Sequence, residues 1–407
     1  MKILFCDPVI RKGELRGCFA HIYEVSSNLT KLGHNLVLLK VIQPHKQQLP
    51  LWVRVDRLSN RIPVIGTIIA EIYTFMLVFF ALVRHRGRFD IIYRRHNAIN
   101  SEYLLSRLFR IPFVKEVNGL EAEIQEDGDS SSIRARIVGW LERFTMPKAD
   151  RIIVVTHKLR ETLHLDYGIP ESKIFVIENG ANVDLFKPMN TVKARQELNL
   201  NQDDYYVCLV GSNLLSYQGT GRLIGAAPFI LERLPDVRFL VVGGSSDSEK
   251  QEVIKTVKEA GLADNFIFTG LVPYERVPFY INASDACVVL PSIYLERAGG
   301  SPLKLCEYMA CNKPVVTSRR AEYDIVGKAN AGLLVDPENP EEVAGAIAKL
   351  LENKELRGKM GKNGRRYVVE NRSWEIVAEK TVEVCREAVQ EKKRRGKRGS
   401  GASKSFI

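Results

Sequence analysis

Short apolar runs alternate along the chain with segments whose apolar residues recur at helical spacing. Residues 2–5, 35–41, 90–93, 112–117 and 151–155 read as strands, with helical patterns between them, the first over residues 21–32. Strands that are apolar throughout belong to a sheet covered on both faces, and helix-length segments between strands make that sheet parallel. The rhythm breaks at residues 179–191, NGANVDLFKPMNT, a run rich in turn formers. It restarts with strands at 205–210, 238–242, 266–268, 286–290 and 314–317. The pattern predicts an α/β chain of two Rossmann-like, doubly wound domains, residues 1–187 and 188–373, whose strand-end loops face each other across a cleft. A last helix, residues 374–390, is expected to pack back on the first domain.

A chain of 407 residues, 45% hydrophobic and 26% charged, is long enough for two such cores. The start, MKILFCDPV, reads as a strand and not as a signal peptide. Seven scattered cysteines, none in CxxC spacing, fit a reduced, cytoplasmic setting without a zinc site. The formal net charge is +11, and much of the excess sits in residues 391–407, which hold Lys392, Lys393, Arg394, Arg395, Lys397, Arg398 and Lys404. That end reads either as a disordered, solvated tail or as a contact with anionic lipid headgroups. No aromatics are interleaved with the basic residues, so nucleic acid is not an expected partner. Residues 62–83 form a long apolar run with Glu71 as its one charge. Its length could span a bilayer. Pro63, Gly66 and Glu71 favour instead a buried helix of the α/β domain or a helix lying in the membrane plane, with Arg84, Arg86 and Arg88 at the headgroup edge.

The densest chemistry lies in GGSPLKLCEYMACNKPVV, residues 299–316, directly after a strand. Gly299 and Gly300 let an anion approach the backbone, Ser301 suits an N-cap, and Pro302 suits the first turn of a helix over residues 303–310. Lys304 adds a cation, and Glu307 lies one turn further on the same face. The arrangement suits a nucleotide sugar, with phosphates at the helix end and a ribose diol on the carboxylate. A capped core helix with a surface Lys304–Glu307 pair is the plainer reading. In the first domain, Glu116 and Asn118 stand at a strand end. Glu116 either orients and deprotonates an acceptor hydroxyl or pairs with Arg94 or Arg95. His21 opens the first helix, lining the pocket or capping. Asp127-Gly128-Asp129 has the form of a metal-binding DxD, but its acidic, serine-rich surroundings read as a solvated loop.

The segment SPLKLCEYMACNKPVV resembles the donor site of family 4 retaining glycosyltransferases of the GT-B fold, in the branch reading Ser-Pro-x-Lys-x-x-Glu-Tyr-Met-Ala. FAHIYEVSSNLTKLGHNLVLL, ADRIIVVTHKLRETL, VIENGANVDLFKP and VRFLVVGG extend the resemblance over nearly the whole chain. It implies a metal-independent hexosyltransferase without a cofactor, acting on a nucleotide diphosphate sugar and a glycan or lipid-linked acceptor in polysaccharide or glycan biosynthesis. The expected location is cytoplasmic, with peripheral contact to an anionic membrane. The resemblance implies donor contacts at Gly17, in the loop after the first strand, and at Ser212, Gln218, Gly299, Gly300, Ser301, Pro302, Lys304 and Glu307. Catalytic roles fall to Lys304, Glu307 and Glu116, and the acceptor side to His21, Arg94 and Asn118. The chain departs from the family pattern at four positions. A first glutamate is replaced by Gly299, a diphosphate-gripping arginine and lysine by Ser212 and Gln218, and a histidine by Asn118. Two alternatives stay open on these grounds: a nucleotide-sugar epimerase on the same fold, and a non-catalytic GT-B scaffold subunit.

Overall fold

A computed structural model describes residues 1–11, 17–43, 63–95, 100–120, 133–211, 214, 219–244, 247–291, 301, 303–320 and 323–402. The chain forms two compact units, one of Met1–Glu14, Ile22–Glu178 and Val377–Ile407, the other of Leu15–His21 and Asn179–Ile376. The division falls at 178/179, earlier than the 187/188 expected from the turn-rich run, and the start of the first helix groups with the second unit.

The first unit holds β1 (Lys2–Arg11), β2 (Asn35–Gln43), β3 (Ile91–Arg95), β4 (Phe113–Val117), β5 (Arg151–Val154) and β6 (Ile174–Val176) in the order β2-β1-β3-β4-β5-β6. All these strand pairs are parallel. Its helices are α1 (Gly17–Lys31), α2 (Pro63–Arg84), α3 (Glu102–Leu108), α4 (Ile133–Thr145) and α5 (His157–Leu165). Residues from α2, α3 and α5 join Leu4, Ile92, Phe113 and Val154 in one buried core. Thr156 caps α5 by accepting from the Leu159 amide.

The second unit holds α6 (Thr191–Glu197), β7 (Tyr205–Gly211), α7 (Thr220–Arg233), β8 (Val237–Gly243), α8 (Asp247–Glu259), β9 (Phe266–Gly270), α9 (Val277–Ala283), β10 (Ala286–Val289), α10 (Leu303–Ala310), β11 (Val315–Ser318), α11 (Ile325–Lys328), β12 (Gly332–Val335), α12 (Pro340–Glu352) and α13 (Lys354–Asn371). Its parallel sheet runs β12-β11-β10-β7-β8-β9. Alternate residues of one strand enter two different cores: Val207 and Leu209 face one, Tyr206 and Cys208 the other. Burial on both faces is why β7 reads as apolar throughout and not as an alternation.

No described helix is long and apolar enough to cross a membrane. The one acid of α2 is internal: Glu71 is buried, and its carboxylate meets Arg94 Nη2 at 3.0 Å and the amide and hydroxyl of Ser101 at 3.0 Å each. A glutamate in an apolar helix is thus satisfied by partners and not by water. The C-terminal end is not a disordered tail through its described length, because α14 (Trp374–Ala402) continues as helix to residue 402. From Val377 this helix belongs to the first unit, held by Arg151 to Glu391 at 2.6 Å and to Glu387 at 3.8 Å.

Candidate donor site and the residues around it

In the second unit the strand order reverses between β7 and β10, so the crossovers leaving these neighbours diverge. Ligands in open α/β sheets bind outside the carboxyl ends of the strands at such a point. Gly219, with φ of +90°, stands at the N-terminus of α7. A Cβ there would collide with the carbonyl of Leu290, just past β10. Only glycine lets the two strand-end segments approach this closely.

The helix α10 follows β10 in the chain. Three bonds fix it. The Val210 amide donates to Tyr308 Oη at 2.7 Å, fastening the helix to the end of β7. Asn179 Nδ2 donates to the Ser301 carbonyl at 3.0 Å, and Cys306 Sγ to the Asn179 carbonyl at 3.6 Å. Burial raises the Tyr308 pKa well above its ordinary value, so its hydroxyl stays neutral. Glu307 is 7% exposed and accepts from Tyr274 Oη at 3.2 Å. Tyr274 in turn packs on Phe186, ring centroids 5.2 Å apart. Burial lowers the Lys304 pKa to about 8, and the nearby Glu307 charge opposes that shift. An ammonium and a carboxylate therefore stand on the first turns of one helix, a setting suited to a diphosphate and a diol. Sequence reasoning gave no role to Asn179, Tyr274 or Tyr308. Tyr308 was visible as the neighbour of Glu307, whereas Tyr274 lies far off in the chain and carried no signal. Ser212, Gln218, Gly299, Gly300, Pro302 and the Asp127–Asp129 motif lie outside the described residues.

The other expected positions are distributed differently. Gly17 is the first residue of α1 and not part of a loop. His21 therefore sits in the second turn and does not open the helix. It is buried, with its ring edge-on to Trp374 at 5.0 Å. Arg94 is not on an acceptor surface: it is fully buried, paired with Glu71 and Glu102. Glu116 is 2% exposed, near the end of β4, and its carboxylate is occupied. It accepts from Tyr93 Oη and, at 2.6 Å, from Asn118 Nδ2, while Arg95 Nε stands 3.9 Å away. The ion-pair reading of Glu116 is the one the geometry supports, with Arg95 and not Arg94 as partner. Tyr93 is pushed well above its ordinary pKa by burial and then by the Glu116 charge, so it donates as a neutral phenol.

The family description "Glycosyltransferase Family 4" matches residues 16–185, and "Glycosyl transferases group 1" matches residues 190–367. A D-inositol 3-phosphate glycosyltransferase of Corynebacterium diphtheriae is 30% identical over 317 residues, covering 75% of this chain and 72% of that protein. Among solved structures, a sucrose-phosphate synthase from Thermosynechococcus elongatus superposes with a TM-score of 0.72 at 21% identity, over 95% of this chain and 98% of that one. The Anabaena protein HepE, in complex with UDP-glucose, superposes with a TM-score of 0.65 at 18% identity, over 95% of this chain and 100% of that one. Sequence likeness over most of both chains, on two parallel doubly wound sheets, establishes that this chain belongs to the family 4 glycosyltransferases of the GT-B fold.

Proposed function

We propose that the protein is a retaining, metal-independent hexosyltransferase that moves a sugar from a nucleotide diphosphate sugar to a hydroxyl of a glycan or lipid-linked acceptor. The observation that carries this reading is α10: a helix start pinned by Asn179 and Tyr308, with Lys304 and Glu307 on its first turns. The diphosphate lies at the helix start and Lys304, and Glu307 accepts from the ribose hydroxyls. The anomeric C–O bond to phosphate breaks through an oxocarbenium-like state. The acceptor oxygen bonds to the same face of that carbon, and its proton passes to the departing phosphate oxygen. The leaving group gains negative charge as the bond breaks. The helix dipole and the Lys304 ammonium therefore stabilise the transition state more than the ground state. Glu116 holds Asn118 on the acceptor side and does not act as the base. UDP is the first donor nucleotide to test, because HepE was solved with UDP-glucose. With a lipid-linked acceptor the enzyme works at a membrane face that carries anionic lipid.

The test is product analysis with UDP-glucose, GDP-mannose and ADP-glucose, each with short acceptors and with EDTA present throughout. The equatorial anomeric proton of these α-linked donors should reappear as an equatorial anomeric proton in a new α-glycoside. An inverted product would remove the retaining mechanism. Loss of turnover in EDTA would remove metal independence. An isomerised donor without a new glycoside would show the epimerase.

A further inference from the structure

Three helices of the first unit leave an apolar ribbon uncovered. Ile72, Met76 and Phe80 recur every fourth residue of α2, so they form one stripe, and Phe80 is 59% exposed. Leu108 ends α3 at 69% exposure, and Trp140 and Phe144 lie on α4, Trp140 at 64%. Contacts link neighbouring helices, with the basic Arg107 and Lys148 between α3 and α4. Phe79 of α2 meets Phe109, just past α3, at 6.5 Å between ring centroids. Arg107 of α3 donates to the Lys148 carbonyl at 3.1 Å, the Lys148 ammonium lies 5.2 Å from the Phe144 ring centre, and Phe144 stacks on Trp140.

The charges around this ribbon are one-sided. The only carboxylates that α2, α3 and α4 contain are Glu71, Glu102 and Glu142, and all three are buried. The exposed ionic residues of these helices are basic: Arg84 on α2, Arg107 on α3, which meets Asp150 at 3.4 Å, and Arg136 and Arg143 on α4; Arg86 and Arg88 follow α2, with the exposed Asp90 after them. An apolar stripe with aromatic rings and a cationic rim, without an exposed acid on its helices, has the chemistry of a surface that lies in the headgroup layer of a bilayer. A second copy of this face would set arginine against arginine. We infer that α2, α3 and α4 form the surface by which this protein docks on an anionic lipid bilayer. This deepens the membrane contact stated under Proposed function and rests on it. Of the two contacts the sequence offers, residues 62–83 and the basic C-terminal end, it makes the first the main one and widens it to three helices.

The experiment is flotation of the full chain with vesicles of phosphatidylcholine alone and of phosphatidylcholine with phosphatidylglycerol, alongside a nucleotide titration. The variants are Phe80→Glu with Trp140→Glu, Ile72→Ser with Leu108→Ser, and Lys397→Glu with Arg398→Glu. The protein should float with the anionic vesicles only. Either ribbon variant should weaken binding by about tenfold or more, since each removes buried apolar area or adds repulsion at the surface. The C-terminal variant should weaken it less. Nucleotide affinity should be unchanged in the ribbon variants, which separates loss of docking from loss of the donor site or of the fold. Ribbon variants that float like the parent would overturn the inference, as would equal binding to neutral vesicles. So would a parent that is dimeric without vesicles and becomes monomeric in the ribbon variants. Absence of nucleotide binding with intact docking would count against the donor-site reading alone.

Discussion

Lys304 supplies a charge that its surroundings oppose. Burial brings its pKa down to about 8, so the ammonium is lost within the range where most proteins stay folded. A bound diphosphate needs that ammonium. Above pH 8, donor binding must therefore be accompanied by proton uptake. Nucleotide affinity should fall about tenfold per pH unit from 8 towards 9.5, and Lys304→Met should bind weakly with no such slope. Titrations at three pH values measure this; equal slopes for parent and variant would assign the proton to another group. Asn179 acts one step removed, through the Ser301 carbonyl. Asn179→Ala should lower kcat and kcat/KM together by loosening the helix start, whereas Asn179→Gln should restore part of both. A purely structural role would lower the melting temperature and leave the kinetic constants of the folded fraction intact.

At the scale of elements, what was legible depended on burial. The central strands announce themselves because both of their faces are covered. The sequence reading passed over β6 and β12, which each end their sheet. With only three and four residues, mostly half-buried, they lack the long apolar run that marks an inner strand. α2 was ambiguous for the opposite reason. Its apolar residues serve two surfaces at once, Val78 and Leu82 the core and Ile72, Met76 and Phe80 the exterior, which erases the amphipathic signature. Glu71 was the informative residue, yet its partners Arg94 and Ser101 are distant in sequence and only the fold brings them to it. Glu71→Leu should leave Arg94 partly unpaired and the Ser101 amide without an acceptor. The expected cost is about 3–5 kcal/mol of the first unit's stability, read from urea unfolding. A loss below ~1 kcal/mol would mean that the pair is not buried as described.

Across the whole molecule, buried charge shapes the response to pH. Glu102 and Lys115 are both fully buried beside Arg94. Burial raises Glu102 to about 7 and lowers Lys115 to about 7. Between the ordinary carboxyl pKa of 4.5 and 7, the folded chain keeps a proton on Glu102 that the unfolded chain has lost, so stability falls as pH rises. Between 7 and the ordinary lysine pKa of 10.5, the unfolded chain holds the extra proton on Lys115, so this group makes stability rise with pH. The pair together contributes a minimum near neutrality. Glu102→Gln should flatten the acid limb in denaturant melts from pH 4.5 to 7, and an unchanged limb would locate the titration elsewhere. The donor site was more legible than this cluster, because Ser301, Lys304 and Glu307 are neighbours in sequence, while the cluster joins residues from four elements. The most direct test of the account is calorimetric titration of the protein and of Glu307→Ala with UDP, GDP and ADP. The account predicts micromolar binding of one nucleotide, weakened by roughly 1–3 kcal/mol in the variant. Binding of none of them, or equal binding by parent and variant, would contradict the placement of the donor on α10.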